Sequence, residues 1–192
     1  MSPADRQAVL DAIENAVSSE PLRRHMLATE CIMRALAVRL SEPADEWALA
    51  GLLHDLDSES TADDSDRHGL ASAEELERLG VSALARQAVA AHNPATGVDA
   101  DFPMAIGLQA ADQLSGLITA ATYVRPDRSL PGVKLKSLRK RFRETAFARA
   151  VDRASIARAE ELGLSLDEFL ELGLIAMQSQ AEEIGLGGTE PD

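Results

Sequence analysis

Only 3% of the side chains are aromatic, so any core this chain builds must come from Leu, Ala, Val, Ile and Met. Ala, Leu, Glu and Arg are abundant, whereas β-branched or aromatic runs are scarce, which favours an all-α fold before any position is read. The apolar residues recur at helical steps. Val9, Leu10, Ile13 and Val17 form one stripe behind Ser2-Pro3-Ala4-Asp5, which has the form of a helix start with proline in its first turn. A second helix begins at Pro21 and turns Leu22, Met26, Cys31, Ile32, Ala35 and Leu36 to one face. A third covers about 44–54, and the acidic, Ser-rich run 55–66 breaks the pattern as a loop. Helices are expected at about 68–79 and 82–92, closed by Gly80 and by Asn93-Pro94, and then at about 102–122. After Arg125-Pro126-Asp127 and Leu130-Pro131-Gly132 come one or two basic helices. Ser165-Leu166-Asp167-Glu168, a capping box, opens the last helix, which runs to about Ile184. At 192 residues the chain suits one well-packed domain and is short for two. It has no internal repeat and no long linker. The expectation is a single bundle of about seven or eight helices over 1–186 with a flexible tail at 187–192.

Charge and cysteine content narrow the function. A net charge of −13 opposes binding along a nucleic-acid polymer. The charge is uneven: residues 125–158 hold 11 Lys or Arg against Asp127, Glu144 and Asp152, a net +8, which leaves −21 for the rest. Such asymmetry marks either a site for something anionic or a solvated basic helix face. A single cysteine, Cys31, excludes an intramolecular disulfide framework and a Cys-based zinc knuckle; on an apolar helix face it reads as a small core residue. The longest apolar stretch, Trp47 to Leu53, is too short to span a bilayer, and residues 1–20 have no signal-peptide apolar core. A cytoplasmic location without membrane contact is expected.

The four histidines carry the chemistry. His25 lies within the second helix, His54-Asp55 ends Ala-Leu-Ala-Gly-Leu-Leu-His-Asp, His68 follows the acidic loop, and His92 ends Ala-Val-Ala-Ala-His-Asn. Taken singly, each reads as a buried histidine satisfied by a carbonyl. Asp112 changes that reading. Apolar residues flank it on both sides, and no Lys or Arg occurs from Gln87 to Val124, so no cation near in sequence can offset its burial. A metal ion is the better partner. Imidazoles with carboxylates suit Fe, Mn, Zn, Ni or Co, whereas calcium prefers oxygen alone.

The ordered set His25, His54-Asp55, His68, His92 and Asp112 resembles the HD-domain superfamily of metal-dependent phosphohydrolases. The closer likeness is to short single-domain HD (HDIG-type) proteins, carried by Trp-Ala-Leu-Ala-Gly-Leu-Leu-His-Asp-Leu-Asp, Ala-His-Asn and Ala-Asp-Gln-Leu-Ser-Gly-Leu-Ile. The superfamily pattern covers about residues 20–124, the metal-binding core, and 125–186 forms a basic helical extension. The resemblance implies that His25, His54, Asp55 and Asp112 hold a first metal, and that His68 and His92 add a second with Asp55 bridging. It thus implies one or two divalent transition metals, Fe or Mn first, with Zn, Ni, Co and Mg as further choices. It implies a small phosphorylated substrate, such as a nucleotide, hydrolysed by a metal-activated hydroxide, and it leaves a homodimer open. The same ligand set also serves mixed-valence di-iron oxygenases, and a structural metal site in a non-catalytic binding module is a further alternative. Many phosphohydrolase members continue as His-Asp-Ile-Gly-Lys. Here Leu56-Asp57-Ser58-Glu59 follows, without the lysine that can meet a phosphate.

The remaining candidates come from position. Asp57 and Glu59 follow the ligands closely and are candidates for proton transfer beside Asp55; solvation is the plainer reading. Ser115 lies one turn beyond Asp112 on the same face and suits a ligand-supporting or substrate contact. Asn93 either meets substrate or stops its helix. Arg125 and Lys134 are candidates for a non-reacting phosphate, although a straight helix would carry Arg125 about 20 Å from Asp112. The run from Asp55 has a calcium-loop rhythm but shows Ser60 and Asp66 where that loop needs Gly and Glu. No glycine-rich phosphate loop and no Gly-x-Ser-x-Gly elbow is present.

Overall fold

A computed structural model describes residues 3–188; Ser2 and the end of the expected tail, 189–192, lie outside the described residues. The helices are α1 Pro3–Ala16, α2 Glu20–Leu40, α3 Ala44–Leu53, α4 Leu70–Arg78, α5 Ala83–His92, α6 Pro103–Tyr123, α7 Leu135–Arg143, α8 Arg153–Ala157 and α9 Leu166–Ser179, with no strand among the described residues. The fold is all-α, and α8, only five residues long, helps carry the count past the expected seven or eight. No helix among the described residues is long and apolar enough to cross a membrane.

Local chemistry sets the ends. The Ser19 hydroxyl accepts the Leu22 N–H at the start of α2, and Pro21 sits in the first turn, where a missing N–H costs nothing. Ser165 accepts the Glu168 N–H to open α9, as its capping-box sequence predicts. Two boundaries differ from expectation. Helix α4 begins at Leu70 rather than at His68, because Gly69 takes a left-handed φ of 91° and the Asp57 carboxylate receives the Gly69 and Ser72 N–H groups. Helix α9 ends at Ser179 rather than near Ile184. Beyond it, the Leu186 N–H returns to the Ala181 carbonyl, and the Leu186 carbonyl accepts the Leu130 N–H. At the expected tail boundary, the Gly187 carbonyl accepts a hydrogen bond from Ser129 Oγ.

The two longest helices, α2 and α6, pack against each other, with α3 and α9 also on α2, and α5, α7, α8 and α9 also on α6. Between them lie Met26, Ile32 and Leu36 of α2, Leu108, Leu114 and Ile118 of α6, Trp47 and Phe169, all buried. Full burial of such aliphatic side chains stabilises by about 1.5–3 kcal/mol each. Two glycines set the closest approaches. A Cβ on Gly51 would stand 2.9 Å from the Thr29 carbonyl oxygen, and one on Gly107 2.7 Å from the Trp47 ring. Gly51 therefore lets α3 lie directly on the turn of α2 that follows His25. Cys31 is half-buried as a packing residue, and burial pushes its thiol up to about 12, which leaves it protonated.

Candidate metal centre

Five segments converge on one point. His25 projects from α2, His54 caps the C-terminus of α3, Asp55 begins the turns after it, His68 precedes α4, His92 ends α5, and Asp112 lies mid-way along α6. Ring centroids are 5.2 Å apart for His25 and His54, 5.1 Å for His54 and His92, and 4.8 Å for His68 and His92. His54 and Asp55 are adjacent in sequence, and both can face one point because α3 ends at Leu53 and the chain continues in turns from His54.

Each imidazole is oriented by a bond at Nδ1. His54 Nδ1 lies 2.8 Å from the Gly51 carbonyl and His92 Nδ1 2.6 Å from the Val89 carbonyl. A carbonyl can only accept, so both Nδ1 atoms carry the proton. His68 Nδ1 is 2.9 Å from Asp57 Oδ1. His25 Nδ1 is 3.0 Å from Ser115 Oγ, whose own proton goes to the Asp112 carbonyl at 2.8 Å. All four Nε2 atoms are thereby turned toward the carboxylates of Asp55 and Asp112. Such outer bonds fix tautomer and ring orientation in metal sites.

The Nε2 atoms divide into two groups. On one side of Asp55, Oδ2 stands 3.6 Å from His25 Nε2 and 3.5 Å from His54 Nε2. Asp112 Oδ1 completes that group, 2.9 Å from His25 and 3.8 Å from His54. On the other side, Asp55 Oδ1 stands 3.2 Å from His68 Nε2 and 3.6 Å from His92 Nε2, and these two nitrogens are 3.2 Å apart. The donor atoms of His25, His54 and Asp55 all lie within 4.8 Å of one another, as do those of Asp55, His68 and His92. His54 Nε2 is fully buried and makes no hydrogen bond among the described residues. A buried nitrogen left so at the centre of carboxylates fits a divalent cation, and the donor set suits Fe, Mn, Zn, Ni or Co.

The electrostatics agree. Burial alone would lower His54, but Asp55 and Asp112 push it up to about 9. Hydrogen bonds to Asp55 and Asp57, against a smaller effect of burial, push His68 up to about 10. Asp55 and Asp112 are held well below the usual carboxylate range; burial opposes this, and the neighbouring imidazoles overcome it. The cluster is thus a concentrated negative site that holds positive charge. It is partly open: the side chains of His25, His68 and Asp112 are 26%, 24% and 19% exposed, whereas His54 and His92 are 0% and 5%. A cavity of about 550 Å³, lined by α2 and α9 residues such as Leu27, Cys31 and Ala176, shares no residue with it.

The other candidates fall elsewhere. Asp57 is buried behind His68: one oxygen takes His68 Nδ1, and the other accepts Gly69 and Ser72 N–H groups at 2.8 Å each, so it supports that imidazole. Glu59 also faces away, accepting from the Ser18 and Ser19 backbone and the Ser18 hydroxyl. Ser115 is fully buried behind His25, which makes it a support for that ligand and removes it from any substrate. Asn93 uses its amide on the Ser65 and His68 carbonyls and its oxygen on the Ala95 N–H, so it braces the His68 turn. Helix α6 runs unbroken to Tyr123, which carries Arg125 far along it, where it pairs with Asp127 and the Gly132 carbonyl. Lys134 is exposed at the start of α7 and makes no contact with the cluster.

One supporting residue escapes a sequence reading. Gln113 donates to Asp112 Oδ2 at 2.8 Å and accepts the Asp152 N–H at 2.7 Å. It stands beside Asp112 in sequence, yet nothing in the pattern announces a partner 39 residues away. Comparison with known proteins supplies one match: a family described as HD domain covers residues 22–117. Searches of curated proteins and of solved structures each return no match.

Proposed function

The chain belongs to the HD-domain family, and from that premise we propose that it is a metal-dependent hydrolase acting on a small phosphate ester. The observation that carries the reading is the convergence of four oriented imidazoles on the two oxygens of Asp55. His25, His54, Asp112 and Asp55 would hold one ion, and His68, His92 and Asp55 a second. Bound divalent ions, Fe or Mn by preference, supply Lewis acidity that brings water toward deprotonation at neutral pH and offsets phosphoryl charge. The chain's own residues fix geometry and leave part of the cluster open to substrate. Asp55 sets the spacing of the two groups, Ser115 and Asp57 lock the exposed imidazoles His25 and His68, and buried His54 and His92 close the floor. The second group offers three protein donors, which leaves positions for water or substrate and favours catalysis over a closed structural site.

The test is turnover by protein loaded anaerobically with Fe²⁺ or Mn²⁺ on a panel of nucleotides and phosphomonoesters. Phosphate release and oxygen uptake are followed together. Metal-dependent phosphate release that Asp55→Ala abolishes is the expected result. Substrate-dependent oxygen uptake without phosphate release would replace hydrolysis by oxidation, and folded, metal-loaded protein inert on both counts would favour a binding module.

A further inference from the structure

The turn at 148–151 touches the metal-centre helix and carries a cation with no partner among the described residues. Val151 lies against α6 at Gly116, where an added Cβ would meet its Cγ2 at 3.6 Å. Gly116 is one helical turn beyond Asp112 and shares its face. The next residue, Asp152, gives its N–H to Gln113, which in turn holds Asp112 Oδ2. The segment therefore borders the partly exposed edge of Asp112. It lies outside residues 22–117, the part matched by the family.

Its shape is fixed from within. The Arg153 guanidinium donates to the carbonyls of Phe142, Glu144, Phe147, Ala148 and Val151. The turn closes through the Val151 N–H to the Ala148 carbonyl at 3.0 Å, with Ala148 at a left-handed φ of 43°. A closed turn keeps its ends within about 7 Å, so Arg149 at the tip stays near the Val151 contact. Arg149 is exposed and has no ion pair or hydrogen bond among the described residues. Arginines such as Arg24, Arg34, Arg67 and Arg86 have carboxylate partners; Arg128 and Arg143 share the lack of one among the described residues, and what sets Arg149 apart is its place on the turn that meets α6 beside Asp112.

We propose that Arg149 is an anion-binding side chain on the rim of the metal centre, taking a second phosphate of a substrate whose first phosphate lies at the His/Asp cluster. The inference rests on the metal-dependent hydrolase reading and names the substrate class as one with two phosphate groups. Arg149 lies on a braced turn, so little ordering is needed on binding, and its guanidinium can meet phosphate through paired N–H donors.

The matched probes are propane-1,3-diol monophosphate and bisphosphate, titrated calorimetrically into Mn²⁺-loaded protein. Wild type is expected to bind the bisphosphate about five- to tenfold more tightly. Arg149→Gln should remove that preference while leaving monophosphate affinity and metal content unchanged, and Lys136→Gln, a change elsewhere on the basic segment, should keep it. Equal affinities in wild type, or a preference that survives Arg149→Gln, would overturn the proposal while monophosphate binding upholds the metal-centre reading. Loss of the preference in Lys136→Gln as well would reduce it to diffuse charge. Failure of both phosphates to bind wild type would overturn both readings together.

Discussion

The two halves of the metal centre are built differently. His25, His54 and Asp112 stand on α2, the end of α3 and α6, helices that pack on one another through close approaches of α3 to α2 at Gly51 and of α6 to both at Gly107. His92 ends a helix, but its companion His68 sits in a turn held by Asp57 and by Asn93 across the Ser65 and His68 carbonyls. A ligand on a packed helix inherits its position from the core, whereas a ligand on a turn must be positioned by polar partners that can be removed singly. The first half should therefore bind its ion more tightly, and the second should respond more to outer-sphere substitutions. Asp55 alone belongs to both.

That last point gives the largest expected effect. Asp55→Ala should abolish both ions, weakening binding by more than about 100-fold, and elemental analysis of the purified variant measures it. Retention of one tightly held ion would show that the halves are independent. Next comes Asp57→Ala, which should weaken only the His68/His92 half, by about 10–100-fold. It also strips Gly69 and Ser72 of their acceptor, at about 1–3 kcal/mol of stability. Mn²⁺ titration and thermal unfolding read the two consequences, and equal weakening of both halves would erase the contrast.

Protons provide the third probe, since each half holds one strongly basic imidazole. Without metal, His54 and His68 stay protonated through neutral pH, at about 9 and about 10. An ion needs them neutral, so loading near pH 7 should release protons, and apparent affinity at each half should rise up to about tenfold per pH unit. The rise should level above about pH 9 in the first half and about pH 10 in the second. For the metal-free protein the sign is opposite. Because both folded values exceed the unfolded one, their stabilisation is complete below about pH 6.5 and is lost as pH climbs through 9 and 10. A pH-independent Mn²⁺ affinity between pH 6.5 and 8.5 would contradict this. Gln113→Leu is the smallest: about tenfold weaker binding at the first half, with the second unchanged.

Much of this was legible in the sequence. The helical steps of apolar residues gave the all-α class, and the ordered set of histidines with Asp112 was legible through its resemblance to the HD-domain pattern rather than through any spacing. What escaped was the polar support. Asp57 and Glu59 read as proton carriers because they follow the ligands, but their partners lie on α4 and on the Ser18–Ser19 turn, set by folding rather than spacing. Arg125 and Lys134 drew notice as charges, yet charge alone does not say which cations are neutralised nearby. Arg125, Arg139 and Arg158 prove to be paired with carboxylates, and Arg149 stands apart from the unpaired ones only once its turn is seen against α6.

The most direct test of the shared centre is element-resolved metal content per chain as anaerobic, metal-free protein is titrated with Mn²⁺. The account predicts two ions per chain, the second weaker than the first and selectively lost in Asp57→Ala. Saturation at one ion, with Asp57→Ala indistinguishable from wild type, would contradict it.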